Sequence, residues 1–165
     1  NVNILVLDTE VYSNTGGQSS KSSKIGSIAS FTTSGKKTNK KDLARIAMSY
    51  KNVYVAGISL GANMMQVIKT LKEANDYPGP SIVIAYCPCI SHGIKGGMEN
   101  TLDTGRLAVE SGYFLTFRYN PDNQTFSLDS KDVDFDEYDK FLSNENRYAN
   151  LKKVNKEHTS YNFSW

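Results

Sequence analysis

At 165 residues, with 39% hydrophobic and 22% charged content, the chain is long enough for one domain with a sizeable core, and its composition excludes wholesale disorder. A formal net charge of +2 is too small to point to nucleic acid. No apolar run reaches the length of a membrane span, and no signal-peptide pattern stands at the start.

The first residues, Val2 to Leu7, form an apolar run with the character of a buried parallel strand. It is strand-like from the outset, so the chain reads as opening mid-fold. Asp8 and Thr9 end the run and lead into a loop of short polar side chains (Ser13, Asn14, Thr15, Ser19, Ser20) around Gly16-Gly17, which lets the backbone approach a ligand. The Walker spacing is absent. Read alone, the loop is as much a solvated strand-to-loop turn as a ligand site.

Residues 25–34 are a sparse mixture of small and apolar side chains, predicting an irregular connection or a cover for a ligand. The lysines Lys36, Lys37, Lys40 and Lys41 read as a solvated helix start, with Thr38 and Asn39 as caps for a helix to about Tyr50. Leu43, Ile46, Ala47 and Tyr50 are its predicted core stripe. Val53–Ile58 is the next strand, buried on both faces. A second helix follows Leu60–Asn63, with Met64, Val67, Ile68 and Leu71 on one face; Met64 and Met65 are read as core filler. Ser81–Tyr86 is a third strand, running into Cys87-Pro88-Cys89.

A third helix is expected between Thr101 and Ser111, stopped by Gly112, followed by a strand over Tyr113–Tyr119 and a short strand near Phe126 and Leu128. Asp129 to Asp139 is acidic and read as exposed. The tail from Phe135 to Val154 has helical character, with Phe141, Arg147, Tyr148 and Leu151 as a weaker stripe. Alternating strands and helices predict an α/β domain, a mostly parallel sheet flanked by helices, over residues 1–128; residues 129–165 are a polar, helical extension of it. Parallel strands would bring the loops Asp8–Gly17 and Cys87–His92 to one rim of the sheet.

Cys87 and Cys89 are too close for a good structural disulfide, leaving buried thiols or metal ligation, and spacing alone favours buried thiols. His92 reads as an ordinary hydrogen-bonding surface residue, and His158 is uninformative. Tyr86, Tyr119 and Trp165 read as core or rim packing. Thr9 Oγ1 and the Val11 carbonyl, at i and i+2 of an extended segment, would fall on one side and could serve Mg²⁺, which takes oxygen ligands; the bland alternative is a threonine capping its own turn.

The string DTEVYSNTGGQSSK closely resembles the thiamine-diphosphate loop of pyruvate:ferredoxin oxidoreductases. The resemblance continues through KKDLARIAMSY, VYVAGISLGAN, GPSIVIAYCPCISHGIKGGM, LAVESGYFLTFRYNP and RYANLKKVN, covering nearly the whole chain. It implies a thiamine-diphosphate-binding fold whose N-terminal part lies outside this chain. It assigns cofactor binding to Thr9, Glu10, Val11, Tyr12, Ser13 and Asn14, Mg²⁺ ligation to the Thr9 side chain and the Val11 backbone oxygen, and a place beside the thiazolium to Asn14 as the catalytic residue. Cys89 is assigned as one ligand of a [4Fe–4S] cluster, and Cys87 has no counterpart role.

The family's Gly-Asp-Gly element, whose aspartate is the third Mg²⁺ ligand, is absent from these residues, so the chain alone is expected to bind the cofactor weakly and to be inactive. The implied activity is oxidative decarboxylation of pyruvate with coenzyme A to acetyl-CoA and CO₂. Electrons would pass to ferredoxin, flavodoxin or a fused flavin module, as in relatives that reduce NADP. The implied partners are the other domains of the same polypeptide and a second subunit in a homodimer, with no nucleic acid and no membrane. The implied location is the cytoplasm or an anaerobic organelle. A sister enzyme for another 2-oxoacid, or a non-catalytic scaffold derived from such an enzyme, are the competing readings.

Overall fold

A computed structural model describes residues 1–130 and 133–149. In chain order these hold β1 (Asn3–Asp8), β2 (Val11–Tyr12), β3 (Gln18–Ser19), α1 (Leu43–Met48), β4 (Tyr54–Ile58), α2 (Met64–Asp76) and β5 (Ser81–Tyr86). They continue with α3 (Thr101–Glu110), β6 (Phe117–Asn120), β7 (Thr125–Leu128), α4 (Tyr138–Asn144) and α5 (Asn146–Ala149). The main sheet has five strands in the order β1-β5-β4-β6-β7; β1, β5 and β4 are mutually parallel, and β6 and β7 are added antiparallel. The protein is therefore α/β with a mainly parallel central sheet flanked by helices.

Strand alternation divides the core. Tyr54, Ala56 and Ile58 of β4 and Val83 and Ala85 of β5 face α2, where Val67 and Ala74 meet them. Val55 turns to the opposite face and packs with Val53, Ala47 of α1 and the half-buried Ile82 and Phe117. Burying each such Val or Ile contributes about 1.5–3 kcal/mol. A third cluster, of Tyr86, Ala108, Tyr113, Phe141, Leu142 and Tyr148, ties α3, α4 and α5 to the carboxyl end of β5. The weak stripe of the tail is thus real over Phe141, Arg147 and Tyr148, all buried, and Tyr86 is core packing as expected.

Several expectations need correction. β1 is parallel, but it stands at the edge of the described sheet with Ile4, Leu5 and Leu7 exposed, so it lacks the double burial its apolar run suggests. α1 is shorter than expected and is capped by Asp42, whose side chain accepts from Arg45 N, in place of Thr38 or Asn39; Ile46 and Tyr50 are exposed. α2 starts after the Asn63 cap as foreseen, yet it buries Val67, Thr70 and Ala74 while Met64, Ile68 and Leu71 stay exposed. The strand placed over Tyr113–Tyr119 is confined to Phe117–Asn120, because Tyr113 is drawn into the aromatic cluster.

The lysine cluster is not a solvated helix start. Lys40 is half-buried on two carboxylates, and Lys36 Nζ donates to the carbonyls of Ser20 (3.0 Å), Lys21 (3.3 Å) and Ser23 (2.6 Å). Asp129 is not free in solvent either, since Arg118 pairs with it and with Glu73. Leu151, His158 and Trp165 lie outside the described residues.

Candidate functional site

The in-register pairing of β1 with β5 sets Asp8 opposite Tyr86, so both strands release their loops at one level. The Cys87 N–H donates to the Asp8 carbonyl at 3.2 Å, and Ser91 Oγ donates to the Ser13 carbonyl, so the two loops are joined on one rim. The Gly17 backbone, at φ +76°, passes so close to this junction that a Cβ there would meet His92 Cε1 at 2.9 Å. A side chain at position 17 would be both strained and in collision.

Thr9 Oγ1 donates to the Val11 carbonyl at 3.1 Å. The route differs from the extended one foreseen: Glu10 between them has φ +63°, and this left-handed kink brings the two oxygens together. The bond is also what a turn-capping threonine makes. The spacing nevertheless suits a hard cation, because two adjacent ligands of octahedral Mg²⁺ at 2.0–2.1 Å lie about 3.0 Å apart. The donor set, a hydroxyl and a carbonyl oxygen, has the chemistry Mg²⁺ takes.

Ser13 Oγ lies 2.8 Å from Thr9 Oγ1 and 3.4 Å from Cys89 Sγ, and Cys89 Sγ lies 3.3 Å from His92 Nδ1. Thr9 and Ser13 thus link the candidate metal oxygens to the Cys89 sulfur, and His92 contacts that sulfur in turn. Cys89 is 1% exposed. Burial pushes its thiol up, but hydrogen bonds from the His92 ring, from Ser13 and from the backbone N–H groups of His92 and Ser91 outweigh burial and hold it at about 7. A sulfur so surrounded is favoured toward its thiolate form. Cys87, two residues away, packs instead against the Tyr54–Val67 cluster, and burial followed by the Asp8 charge pushes its thiol up. Among the described residues no three His, Cys, Asp or Glu side chains gather as a metal site, so a four-thiolate cluster would need its other ligands from elsewhere.

Beneath the loop is a buried ionic knot. Glu10 is 1% exposed and bonds Lys40 (2.8 Å) and the Tyr113 hydroxyl, with Arg147 Nη2 at 3.4 Å. Burial pushes its carboxyl up, yet Lys40, Arg147 and Lys24 together outweigh this and hold it at about 2. The Glu10 side chain therefore belongs to the interior. Asn14 is exposed in the short 3₁₀ turn Ser13–Thr15, Tyr12 is exposed beside it, and Val11 is buried against Ala29 and Cys89. Ser27 and Ala29 are the buried points of the irregular 25–34 segment, which closes over the loop through Ser30 N donating to the Gly17 carbonyl at 3.0 Å.

Sequence reasoning left His92, Arg147 and Lys40 without roles. For His92 a signal existed: it stands three residues after Cys89, and the Gly93 N–H donating to the Cys89 carbonyl at 2.8 Å folds that span into a turn. For Lys40 and for the contacts of Arg147 with Thr9 and Glu10 none did, because those partners are distant in sequence.

The chain is 50% identical over 158 residues to a pyruvate-flavodoxin oxidoreductase of Klebsiella pneumoniae, covering 93% of this chain and 13% of that protein. It is 51% identical over 158 residues to a pyruvate:ferredoxin oxidoreductase of Moorella thermoacetica, with the same coverage. It is 48% identical over 160 residues to a mitochondrial pyruvate dehydrogenase [NADP(+)] of Euglena gracilis, covering 94% of this chain and 9% of that one. The chain therefore spans between about a tenth and an eighth of the length of these relatives, each of which is named as an enzyme. No family model matches it.

Proposed function

We propose, from the premise that this chain is a segment belonging to the pyruvate:ferredoxin and pyruvate-flavodoxin oxidoreductase family, that it holds the Mg²⁺-diphosphate end of thiamine diphosphate and supplies one thiolate to a [4Fe–4S] cluster. The full-length enzyme then decarboxylates pyruvate oxidatively with coenzyme A and hands electrons to ferredoxin, flavodoxin or a flavin module. The observation that carries this reading is the approach of Thr9 Oγ1 to the Val11 carbonyl at 3.1 Å, with Ser13 joining Thr9 to the buried Cys89 sulfur.

When bound, thiamine diphosphate supplies the electron sink that decarboxylation of a 2-oxoacid requires. The residues of this chain do the holding. Thr9 and Val11 offer oxygens to the cation, the exposed residues Asn14 to Gly16 lie open to the diphosphate, and the Asn14 amide is free to orient substrate. Cys89 Sγ waits on the same rim, sealed from water. The missing carboxylate ligand, the remaining three thiolates and the pyrimidine half of the site come from other domains of the polypeptide. Residues 129–165 act as an extension of the 1–128 domain, and the enzyme works as a homodimer in the cytoplasm or an anaerobic organelle.

The test is made on the full-length protein. Cys89→Ala should remove iron equivalent to one cluster, and Thr9→Val should weaken retention of thiamine diphosphate; full iron and unaltered cofactor content in both variants would refute the assignment.

A further inference from the structure

We propose that the Ser13 hydroxyl is a relay between the cation site and the cluster sulfur, its hydrogen bonds reversing direction when the site is loaded and, with His92, setting the reduction potential of the cluster that Cys89 ligates. This rests on the reading of Thr9, Val11 and Cys89 given above.

A serine hydroxyl has one proton to donate and lone pairs to accept with. As the structure stands, Thr9 gives its proton to the Val11 carbonyl (3.1 Å) and Ser13 gives its own to Thr9 Oγ1 (2.8 Å). With the Ser13 proton spent in this way, the Cys89 leg, at 3.4 Å, is left to the thiol to donate. A cation held by both Thr9 Oγ1 and the Val11 oxygen would take a lone pair of each and repel a proton lying between them. The Thr9 proton would then turn away from the Val11 carbonyl, and Ser13 Oγ at 2.8 Å is placed to accept it. At the other end, a metal-bound sulfur has no proton of its own and is a stronger acceptor than a neutral hydroxyl. Both changes turn the chain the same way: Thr9 donates to Ser13, and Ser13 donates to Cys89 Sγ.

The consequence for electron transfer follows from charge. The reduced cluster carries one more negative charge, so a donor on its ligand sulfur stabilises that form and raises the potential. Cys89 is 1% exposed, so little water is at hand to substitute for the lost donor. His92 Nδ1, at 3.3 Å, is the second side-chain donor when its proton sits on that nitrogen. The cluster would therefore be easiest to reduce when the cation site is filled, and by linkage the reduced cluster would favour filling of that site.

The experiment is an equilibrium redox titration of the full-length protein, followed by the EPR signal that Cys89→Ala abolishes, with and without Mg²⁺ and thiamine diphosphate. In the loaded protein Ser13→Ala should make reduction about tenfold less favourable, a shift of about 59 mV to lower potential for one electron. Ser13→Thr, which keeps the hydroxyl, should restore most of it. The rise in potential on loading should be larger in wild type than in Ser13→Ala. Equal potentials in wild type and Ser13→Ala, or no recovery in Ser13→Thr, would overturn the relay while leaving the cluster assignment standing. A Cys89→Ala protein with every cluster signal and its full iron content would overturn the assignment itself and the relay with it.

Discussion

Arg147 donates from Nη1 to the Thr9 carbonyl at 3.0 Å, across 138 residues of chain. The same guanidinium, with no side-chain exposure, lies 3.0 Å from Glu145 and 3.4 Å from Glu10. Helix α5 thereby fixes the backbone of the residue whose hydroxyl faces the candidate cation site. Replacing Arg147 by Met leaves two buried carboxylates short of a partner, a change that costs about 3–5 kcal/mol. Hydrogen exchange in the full-length protein should show the amides of residues 9–23 losing protection by that order, and unchanged rates there would mean the loop holds its shape unaided.

Acid should act on the same knot. The Glu10 carboxyl, held at about 2 by Lys40, Arg147 and Lys24 against the cost of burial, has a folded value below its unfolded one. Its contribution is therefore complete above the unfolded value of about 4.3 and is lost as pH falls through 2. The size is on the order of 3 kcal/mol. Local protection against exchange, taken relative to the intrinsic rate at each pH, should fall from pH 5 to pH 2 in wild type, whereas Glu10→Gln should start less protected and vary much less over that window. Parallel curves would show that the carboxyl is not the titrating group.

Thr9→Val keeps the volume of the side chain and removes the hydroxyl. Under the proposed function it should weaken retention of Mg²⁺ and thiamine diphosphate by about tenfold or more. Asn14→Ala, at an exposed position outside the packed core, should leave that binding nearly intact and lower turnover by about 100-fold. Binding titrations and steady-state assays on the full-length enzyme separate the two, and turnover unchanged by Asn14→Ala would remove Asn14 from the catalytic assignment.

The core offers a test of the fold alone. Thr70 on the buried face of α2 has its Oγ1 enclosed with no hydrogen-bond partner. A buried unsatisfied hydroxyl costs about 1–3 kcal/mol, so Thr70→Val should be neutral or stabilising by about 1 kcal/mol. Val67→Ala, one turn earlier on the same face, should destabilise by about 2 kcal/mol. Thermal unfolding that ranks the two the other way would mean α2 turns a different face inward.

What could be read from the residues was what depends on local pattern. The run Ser81–Tyr86 is continuous and apolar, and it became an interior strand that delivers Cys89 to the rim; Asn63 caps α2, and Gly112 stops α3. Burial faces were harder to read. On α2 the stripe of Met64, Ile68 and Leu71 is as periodic as that of Val67, Thr70 and Ala74, and only the position of the sheet decides between them. Long-range charge pairing was illegible: nothing near Lys40 in sequence announces Asp8 and Glu10, so four lysines within six residues looked like a solvated run. The left-handed kink at Glu10 was hidden for the same reason, since it is held by partners from Lys40 to Arg147.

The central claim is that Thr9 and Val11 hold a diphosphate-bound cation next to an iron-ligating Cys89. Its most direct measurement is anomalous diffraction from crystals of the full-length protein loaded with thiamine diphosphate and with Mn²⁺ in place of Mg²⁺, recorded on both sides of the manganese and iron absorption edges. The account predicts a manganese peak bonded to both Thr9 Oγ1 and the Val11 carbonyl oxygen, and an iron peak bonded to Cys89 Sγ. Manganese bound away from these two oxygens, or a Cys89 sulfur with no iron beside it, would contradict it.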